Sequence, residues 1–452
     1  MLEPLYTAEE MKQAEAGYDV DELMARAGRV VAEEAMRRFP NARRFVAVCG
    51  KGANGGDGRI AVDVIAAAGR EAVVSDDVEG ADVILDGLFG TGFHGEPRED
   101  AARKIAAINA AGAPVVSVDL PSGVDASTGE VAGACVDATV TVTMHGRKVG
   151  LEVAPGRFHA GEVVVADIGL EHAETEHRLV TAEILGRVPR KRADQNKYTA
   201  GTVLVVGGSR GLTGAPSLAA EAAFRADAGY VTVAVPASTM PIFEQRLLEA
   251  VKLACPEDEG RISPRAVEPI AEFAQKAGSV ALGPGLGRGD GPHEVVARLL
   301  AELDVPVVVD ADGLFGLEPF ERNNPTVLTP HEGELARLLG EESSWVAAHR
   351  LEAARRATER FGCVCLLKGA DTLVAAPGEG VWVCSLGTPA LATAGSGDVL
   401  TGIVAAFLAK GLEARLAAAA AAIAHQLASR EVPQAGAVAS DLIGALPLVL
   451  DR

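Results

Sequence analysis

Cysteine is scarce in this sequence: six thiols are spread over 452 residues, and only Cys363 and Cys365 lie close together. A C-x-C pair without a matching His or Cys cluster is no zinc site, and the six read as reduced, mostly buried thiols. Basic residues are also in short supply. The 42 Lys and Arg against 62 Asp and Glu give a formal net charge of -20. That balance argues against a protein that tracks a nucleic-acid backbone, but local main-chain amides can still hold a nucleotide. Long apolar runs are missing too. The longest, Leu416 to Ile423, is too short and too alanine-rich to span a bilayer. The first 17 residues have neither the basic region nor the apolar core of a secretory signal. The expected setting is the cytoplasm, with no membrane and no nucleic acid as partner. No G-x-x-x-x-G-K-[ST] sequence occurs, so any nucleotide site is not of the P-loop type.

What is present fits a soluble α/β protein. Hydrophobic residues make up 48% and charged residues 23%, and the length calls for two or three domains. Thr7-Ala-Glu-Glu reads as a helix start, and a second helix is expected from about Asp21 to Phe39. The buried strand from Arg44 then runs into Gly50-Lys-Gly-Ala-Asn-Gly-Gly-Asp-Gly and an alanine-rich helix. Gly50, Gly52 and Gly55 match G-x-G-x-x-G, and Asp76 and Asp77 follow about 20 residues later. Asn54 and Asp57 crowd that loop with polar side chains, where a plain dinucleotide fingerprint has small or apolar ones. Two further strands end in Asp86-Gly-Leu-Phe-Gly-Thr-Gly and Asp119-Leu-Pro-Ser-Gly-Val-Asp. Carboxyl ends of strands line the crevice of an open α/β sheet, so Asn54, Asp86, Asp119 and Ser122 should gather at one edge. An all-oxygen set suits a hard cation, K⁺ or Mg²⁺, although any single Asp there also reads as a simple turn residue.

Charge rises and periodicity fades between Glu171 and Arg192, which places a boundary near residue 175. The expected division is 1–175, a linker at 176–192, and 193–452. The second half alternates strands and helices again, with a mostly parallel sheet. Three of its stretches carry chemistry. Thr329-Pro-His-Glu-Gly-Glu sets His331 and two carboxylates just past a strand end. Lys368-Gly-Ala-Asp-Thr offers a cation and main-chain amides. Gly395-Ser-Gly-Asp398 opens an apolar helix, where unpaired amides and the helix dipole favour a phosphate. Asp398 is either an ordinary acidic first-turn residue or a base beside that phosphate.

The two halves, in order, resemble the NAD(P)H-hydrate repair enzymes. Residues 50–58, the Asp86 and Asp119 stretches and Lys148-Val-Gly-Leu look like their epimerase domain, a Rossmann-like doubly wound fold. Thr213-Gly-Ala-Pro, Gly283-Pro-Gly-Leu-Gly, the His331, Lys368 and Asp398 stretches and Ser440-Asp-Leu-Ile-Gly look like their ADP-dependent dehydratase domain, which is ribokinase-like. The resemblance implies a K⁺ ion on Asn54, Asp86 and Ser122. It implies contacts from Asn54, Gly55, Gly56 and Asp57, from Gly90, Thr91, Gly92, Phe93, His94, Gly95 and Glu96, and from Asp119 to hydrated NADH or NADPH. Asp119 is the candidate proton-transfer group. In the second half it implies that Ala215, Gly285, His331 and Asp398 contact the hydrate. Lys368, Gly369, Ala370, Asp371, Thr372 and Gly397 would then hold ADP, which brings Mg²⁺, with Asp398 as catalytic base. One departure stands out: the family usually has two asparagines before Gly-Gly-Asp, and here Ala53 precedes Asn54. That removes one amide from the substrate side and leaves the cation site to Asn54. A homo-oligomer is the expected assembly. The rival reading is a small-molecule kinase, acting on a vitamin-type alcohol, fused to a non-catalytic nucleotide-binding or assembly module.

Overall fold

The computed structural model describes residues 2–171 and 173–451. It divides into two compact units, one of Pro4–Arg178 with Ala347–Leu351, the other built chiefly from Leu179–Val346 and Glu352–Arg452. Residues 176–192, expected as a linker, are no exposed tether. They hold the strand Arg178–Val180 and the 3-10 helix Ala182–Arg187, and Val180, Ile184, Leu185 and Val188 are buried in the second unit's core.

The first unit carries a six-stranded sheet in the spatial order Glu71–Val74, Arg44–Cys49, Val83–Gly87, Val115–Val118, Val140–Met144 and Glu162–Ala166. Every neighbouring pair is parallel. Such strands are buried on both faces, as Val83–Gly87 and Val115–Val118 are along their whole length, Asp86 and Ser117 being their polar interruptions. The chain order reverses at Arg44–Cys49, whose two neighbours lead away in opposite directions. That is a topological switch point, where the strand ends splay and leave a crevice. Asn54 follows this strand and Asp86 ends its neighbour.

The second unit repeats the scheme. Its sheet runs Val251–Cys255, Tyr230–Pro236, Thr202–Val206, Ser279–Leu282, Val307–Val309, Thr326–Leu328 and Val364–Leu367 in parallel. It continues antiparallel through Thr372–Ala375 and Trp382–Cys384. The reversal falls at Thr202–Val206. The helix Ser396–Ala409 is apolar almost all round and buried from Val399 to Leu408, as a helix inside a core must be. Gly402 lets it approach the helix Gly214–Arg225: a Cβ there would sit 2.1 Å from the Ala219 carbonyl oxygen. The alanine-rich Ala414–Ala428 is a third buried helix of this core. No helix among the described residues is long and apolar enough to cross a membrane. All six cysteines are free, and burial pushes the Cys255 and Cys363 thiols up to about 12, far from thiolate reactivity.

Candidate active sites

In the first unit the glycines after Arg44–Cys49 are packing residues. A Cβ on Gly50 would lie 2.1 Å from the Leu88 carbonyl oxygen, one on Gly55 2.1 Å from that of Gly50, and one on Gly56 2.3 Å from Met24 Sδ. They draw the start of the helix Ala53–Ala67 against the loop after Val83–Gly87. That closeness seats Asn54, which is buried and whose Nδ2 donates to the Phe89 carbonyl at 2.8 Å and to that of Val118. Its Oδ1 lies against Gly90, where a Cβ would come within 2.4 Å. Asp86 is fully buried. It accepts from the Ser122 hydroxyl at 2.6 Å, the Ser122 amide at 2.8 Å, the Ser117 hydroxyl at 2.9 Å and the Leu88 amide at 3.3 Å. Burial raises its pKa, and these neutral donors oppose the rise.

Asp119 sits at φ +67, a left-handed backbone uncommon for a residue with a side chain. Its carboxylate meets the end of the neighbouring strand Val140–Met144. Its Oδ1 accepts from Thr143 Oγ1 at 3.0 Å, from the Met144 amide at 3.0 Å, and from Lys148 Nζ at 2.5 Å. Lys148 is fully buried and also donates to Thr143 Oγ1 and the Met144 carbonyl. The sequence shows Lys148 only as a motif letter; nothing local reveals that it reaches an acid 29 residues away. Asp57 is buried too, and burial, then the charges of Asp119 and Glu15, push it up to about 7. The loop from Gly90 to Glu96 is largely exposed; Phe93 stacks on Phe89 with ring centroids 4.6 Å apart, and His94 Nδ1 lies 2.7 Å from Asp125. Asp76, the acid that follows the glycine loop by about 20 residues, is exposed and paired with Lys104 at 2.9 Å.

In the second unit the loops at the switch point stack closely. Gly285, at φ +63, brings its backbone against Leu212 and Ala215: a Cβ there would lie 3.3 Å from that of Ala215. Asp312 Oδ2 anchors the same glycine loop through the Gly287 amide at 3.0 Å. Asp310, buried at the next strand end, accepts from Lys368 Nζ at 2.8 Å and from Thr401 Oγ1 at 2.5 Å. Thr401 is on the helix Ser396–Ala409, so Asp310 fixes the lysine relative to that helix's N-terminus. Gly395 turns into the helix at φ +90. Gly397 lies close enough to Lys368 that a Cβ would sit 3.4 Å from Nζ.

Asp398, in the first turn, has its pKa raised to about 7 by burial and by the charge of Asp310, against the pull of Lys368. Burial opposes the charge of Lys368, but Asp310 and Glu334 outweigh it and raise its pKa. His331 has a structural duty that its sequence context only hinted at. It caps the helix Glu332–Leu339, its Nδ1 accepting from the Gly333 amide at 3.0 Å, while Glu334 returns a bond to the His331 amide at 2.9 Å. The rest of the ring is exposed, one strand end from Lys368. Lys368, Gly369, Ala370, Thr372 and Gly397 line one cavity of about 430 Å³; Asp371, from the same run, is buried and does not line it. No cluster of three or more His, Cys, Asp or Glu able to hold a metal occurs among the described residues.

The family model described as NAD(P)H-hydrate dehydratase matches residues 203–447. The one described as YjeF-related protein N-terminus matches 20–76 and 65–150. The bifunctional NAD(P)H-hydrate repair enzyme of Moorella thermoacetica is 39% identical, over 99% of this chain and 96% of that one. The chain belongs to the bifunctional NAD(P)H-hydrate repair enzymes. The repair enzyme of Escherichia coli is 31% identical, over 96% of this chain and 90% of its own. Among solved structures, the ADP/ATP-dependent NAD(P)H-hydrate dehydratase of Bacillus subtilis, co-crystallized with ATP and Mg²⁺, is 28% identical with a TM-score of 0.54. It matches 61% of this chain and 98% of that one. This repair enzyme thus joins an epimerase domain to a ribokinase-like dehydratase domain.

Proposed function

We propose that Asp398 is the base of an ADP-dependent dehydration that returns hydrated NAD(P)H to NAD(P)H. Water added across the 5,6 double bond of the nicotinamide leaves a 6-hydroxyl. Hydroxide is a poor leaving group; phosphate is a good one. Asp398 takes the hydroxyl proton, the oxygen attacks the terminal phosphorus of ADP, and AMP departs. The ring nitrogen's lone pair then expels phosphate, and loss of the C5 proton restores the double bond. In-line phosphoryl transfer asks the protein for positioning and charge, not covalent help. The first-turn amides of Ser396–Ala409, which no side chain caps, and the Lys368 ammonium supply both. Mg²⁺ fits as the nucleotide's own ion, since such ions are held by phosphates and only one or two carboxylates. The observation that carries the reading is that Asp398 stands at this phosphate corner without a cation of its own and titrates near neutrality. Ala215, Gly285 and His331 lie on the hydrate side of the corner in this reading. Lys368 to Thr372 and Gly397 take the nucleotide, Asp371 by supporting the loop. The test is turnover of hydrated NADH with ADP by Asp398→Asn, followed by absorbance of the restored ring; a rate within tenfold of wild type would reject the base.

In the first unit, Asp119 moves a proton as the R and S hydrates interconvert, so that a dehydratase acting on the S form consumes both. Asn54 to Asp57 and Gly90 to Glu96 border its crevice. A K⁺ ion on Asn54, Asp86 and Ser122 fits the chemistry there. Asp86 is a buried carboxylate with four neutral donors, and a monovalent cation among oxygen ligands would balance its charge. Bound there, it would supply positive charge to the crevice. A cytoplasmic homo-oligomer completes the reading, with sedimentation velocity as its check.

A further inference from the structure

One polar atom on the wall of the nucleotide cavity has no partner. Six polar side chains face that cavity: Lys368, Thr372, Thr388, Ser396, His425 and Gln426. Five are engaged. Lys368 is on Asp310, and Thr372 Oγ1 donates to the Gly369 carbonyl at 3.0 Å. Thr388 Oγ1 bonds Ser429, and Ser396 Oγ donates to the Leu391 carbonyl at 2.8 Å. Gln426 uses both ends of its amide, donating to the Cys384 carbonyl at 2.9 Å and accepting from the Leu386 amide at 2.9 Å. His425 differs. It is 6% exposed, and its Nε2 is buried without a hydrogen-bond partner. Such an atom is costly to keep unless something completes it.

The ring's protonation state follows from its surroundings. Burial, helped by the charge of Lys368, pulls the pKa down to about 4, so the imidazole is neutral at pH 7. The backbone of Ser396 acts in the other direction, as an acceptor facing a ring N–H would. Placing that N–H on Nδ1 leaves Nε2, the buried ring atom without a partner, as the acceptor on a residue that lines the cavity. A lone pair repels a phosphate, whose place is at Lys368 and the Gly397 amide. It suits a neutral N–H or O–H donor instead. The nearby apolar wall of Pro389, Leu391, Ala392, Leu400 and Ala422 suits a purine face.

We infer that His425 Nε2 accepts a hydrogen bond from the nucleoside part of the nucleotide, either the adenine amino group or a ribose hydroxyl, and so sets nucleotide specificity. This rests on the reading that the cavity holds ADP. The test measures dehydration of hydrated NADH by the full-length chain with ADP, inosine diphosphate, 2′-deoxy-ADP and 3′-deoxy-ADP. Wild type, His425→Leu and His425→Asn are compared. In wild type, one analogue should raise the nucleotide KM about tenfold or more. A penalty on inosine diphosphate assigns the contact to the base, and one on a deoxy nucleotide assigns it to the ribose. In His425→Leu that penalty should fall to within about twofold, with the hydrate KM unchanged. His425→Asn, whose amide oxygen also accepts, should keep part of it. Equal penalties in wild type and His425→Leu would overturn the contact while leaving the dehydratase reading intact. So would a wild type indifferent to every analogue, an outcome that needs no variant to fold. A wild type unable to use ADP at all would overturn both.

Discussion

The two crevices share a plan and differ in one assignment. Each lies at the point where a parallel sheet reverses its strand order, and each contains a lysine hydrogen-bonded to a carboxylate. A second carboxylate in each lacks such a cation and is pushed up to about 7. In the second unit the pair is Lys368–Asp310 and the second acid is Asp398; in the first the pair is Lys148–Asp119 and the second acid is Asp57. The base proposed for dehydration is the unpaired acid, whereas the proton-transfer group proposed for epimerisation is the paired one. A carboxylate locked to a lysine has its charge balanced and its direction fixed, which suits orienting a substrate or steadying a cationic intermediate. A carboxylate near its own pKa gives and takes a proton with little driving force lost. The comparison therefore singles out Asp57, beside Asp119, as the residue whose substitution tests where proton transfer in epimer exchange lies.

The sharpest break comes from the buried lysine. Lys148→Met leaves Asp119 without its counter-charge, and removing one partner of a buried pair costs about 3–5 kcal/mol. The first unit's thermal midpoint should fall by many degrees, and Lys148→Met together with Asp119→Asn should recover most of the loss. Failure of the double variant to recover would mean that the pair is not what holds this corner. A second comparison is kinetic. Lys368→Met removes the charge that lowers the pKa of Asp398, so the alkaline-rising limb of dehydration should move to higher pH as the nucleotide KM rises; an unmoved limb would separate the two groups.

Asp57 gives a smaller effect with a definite sign. Its folded pKa of about 7 lies above the unfolded value of about 3.9. The folded state therefore binds the extra proton between those pH values, and stability falls as pH rises through that window. Asp57→Asn should match wild type below pH 4 and melt a few degrees higher at pH 8, while slowing epimer exchange more than tenfold. Exchange at the wild-type rate would return the proton transfer to Asp119 alone. The smallest effect is ionic: K⁺ in place of Na⁺ should raise the first unit's midpoint by a degree or two, and Asp86→Asn should remove the difference.

Much of this was legible from residues alone, because parallel strands write themselves as apolar runs. The strand from Arg44 ends at Cys49, just before Gly50, where its pattern puts it. Val251–Cys255 went unseen: an edge strand with mixed exposure carries a weak pattern. The glycine motif at Gly395 and its Asp398 were readable, since helix starts have local signatures. Lys148, Asp310 and His425 were not. Their importance lies in partners 29, 58 or more residues away, or in a partner that is missing. His331 was readable as a polar residue just past a strand end, but its capping role needed the return bond from Glu334.

The claim beneath the dehydratase crevice is that an acid without a cation of its own, Asp398, beside the lysine-bound Asp310, does the proton transfer. The pH dependence of kcat/KM for ADP-driven dehydration tests it most directly. The account predicts a rate rising about tenfold per pH unit below about 7 and levelling above it, as Asp398 loses its proton. In Asp398→Asn the residual rate should be flat across that range. The same limb near pH 7 in the Asn variant would contradict the account.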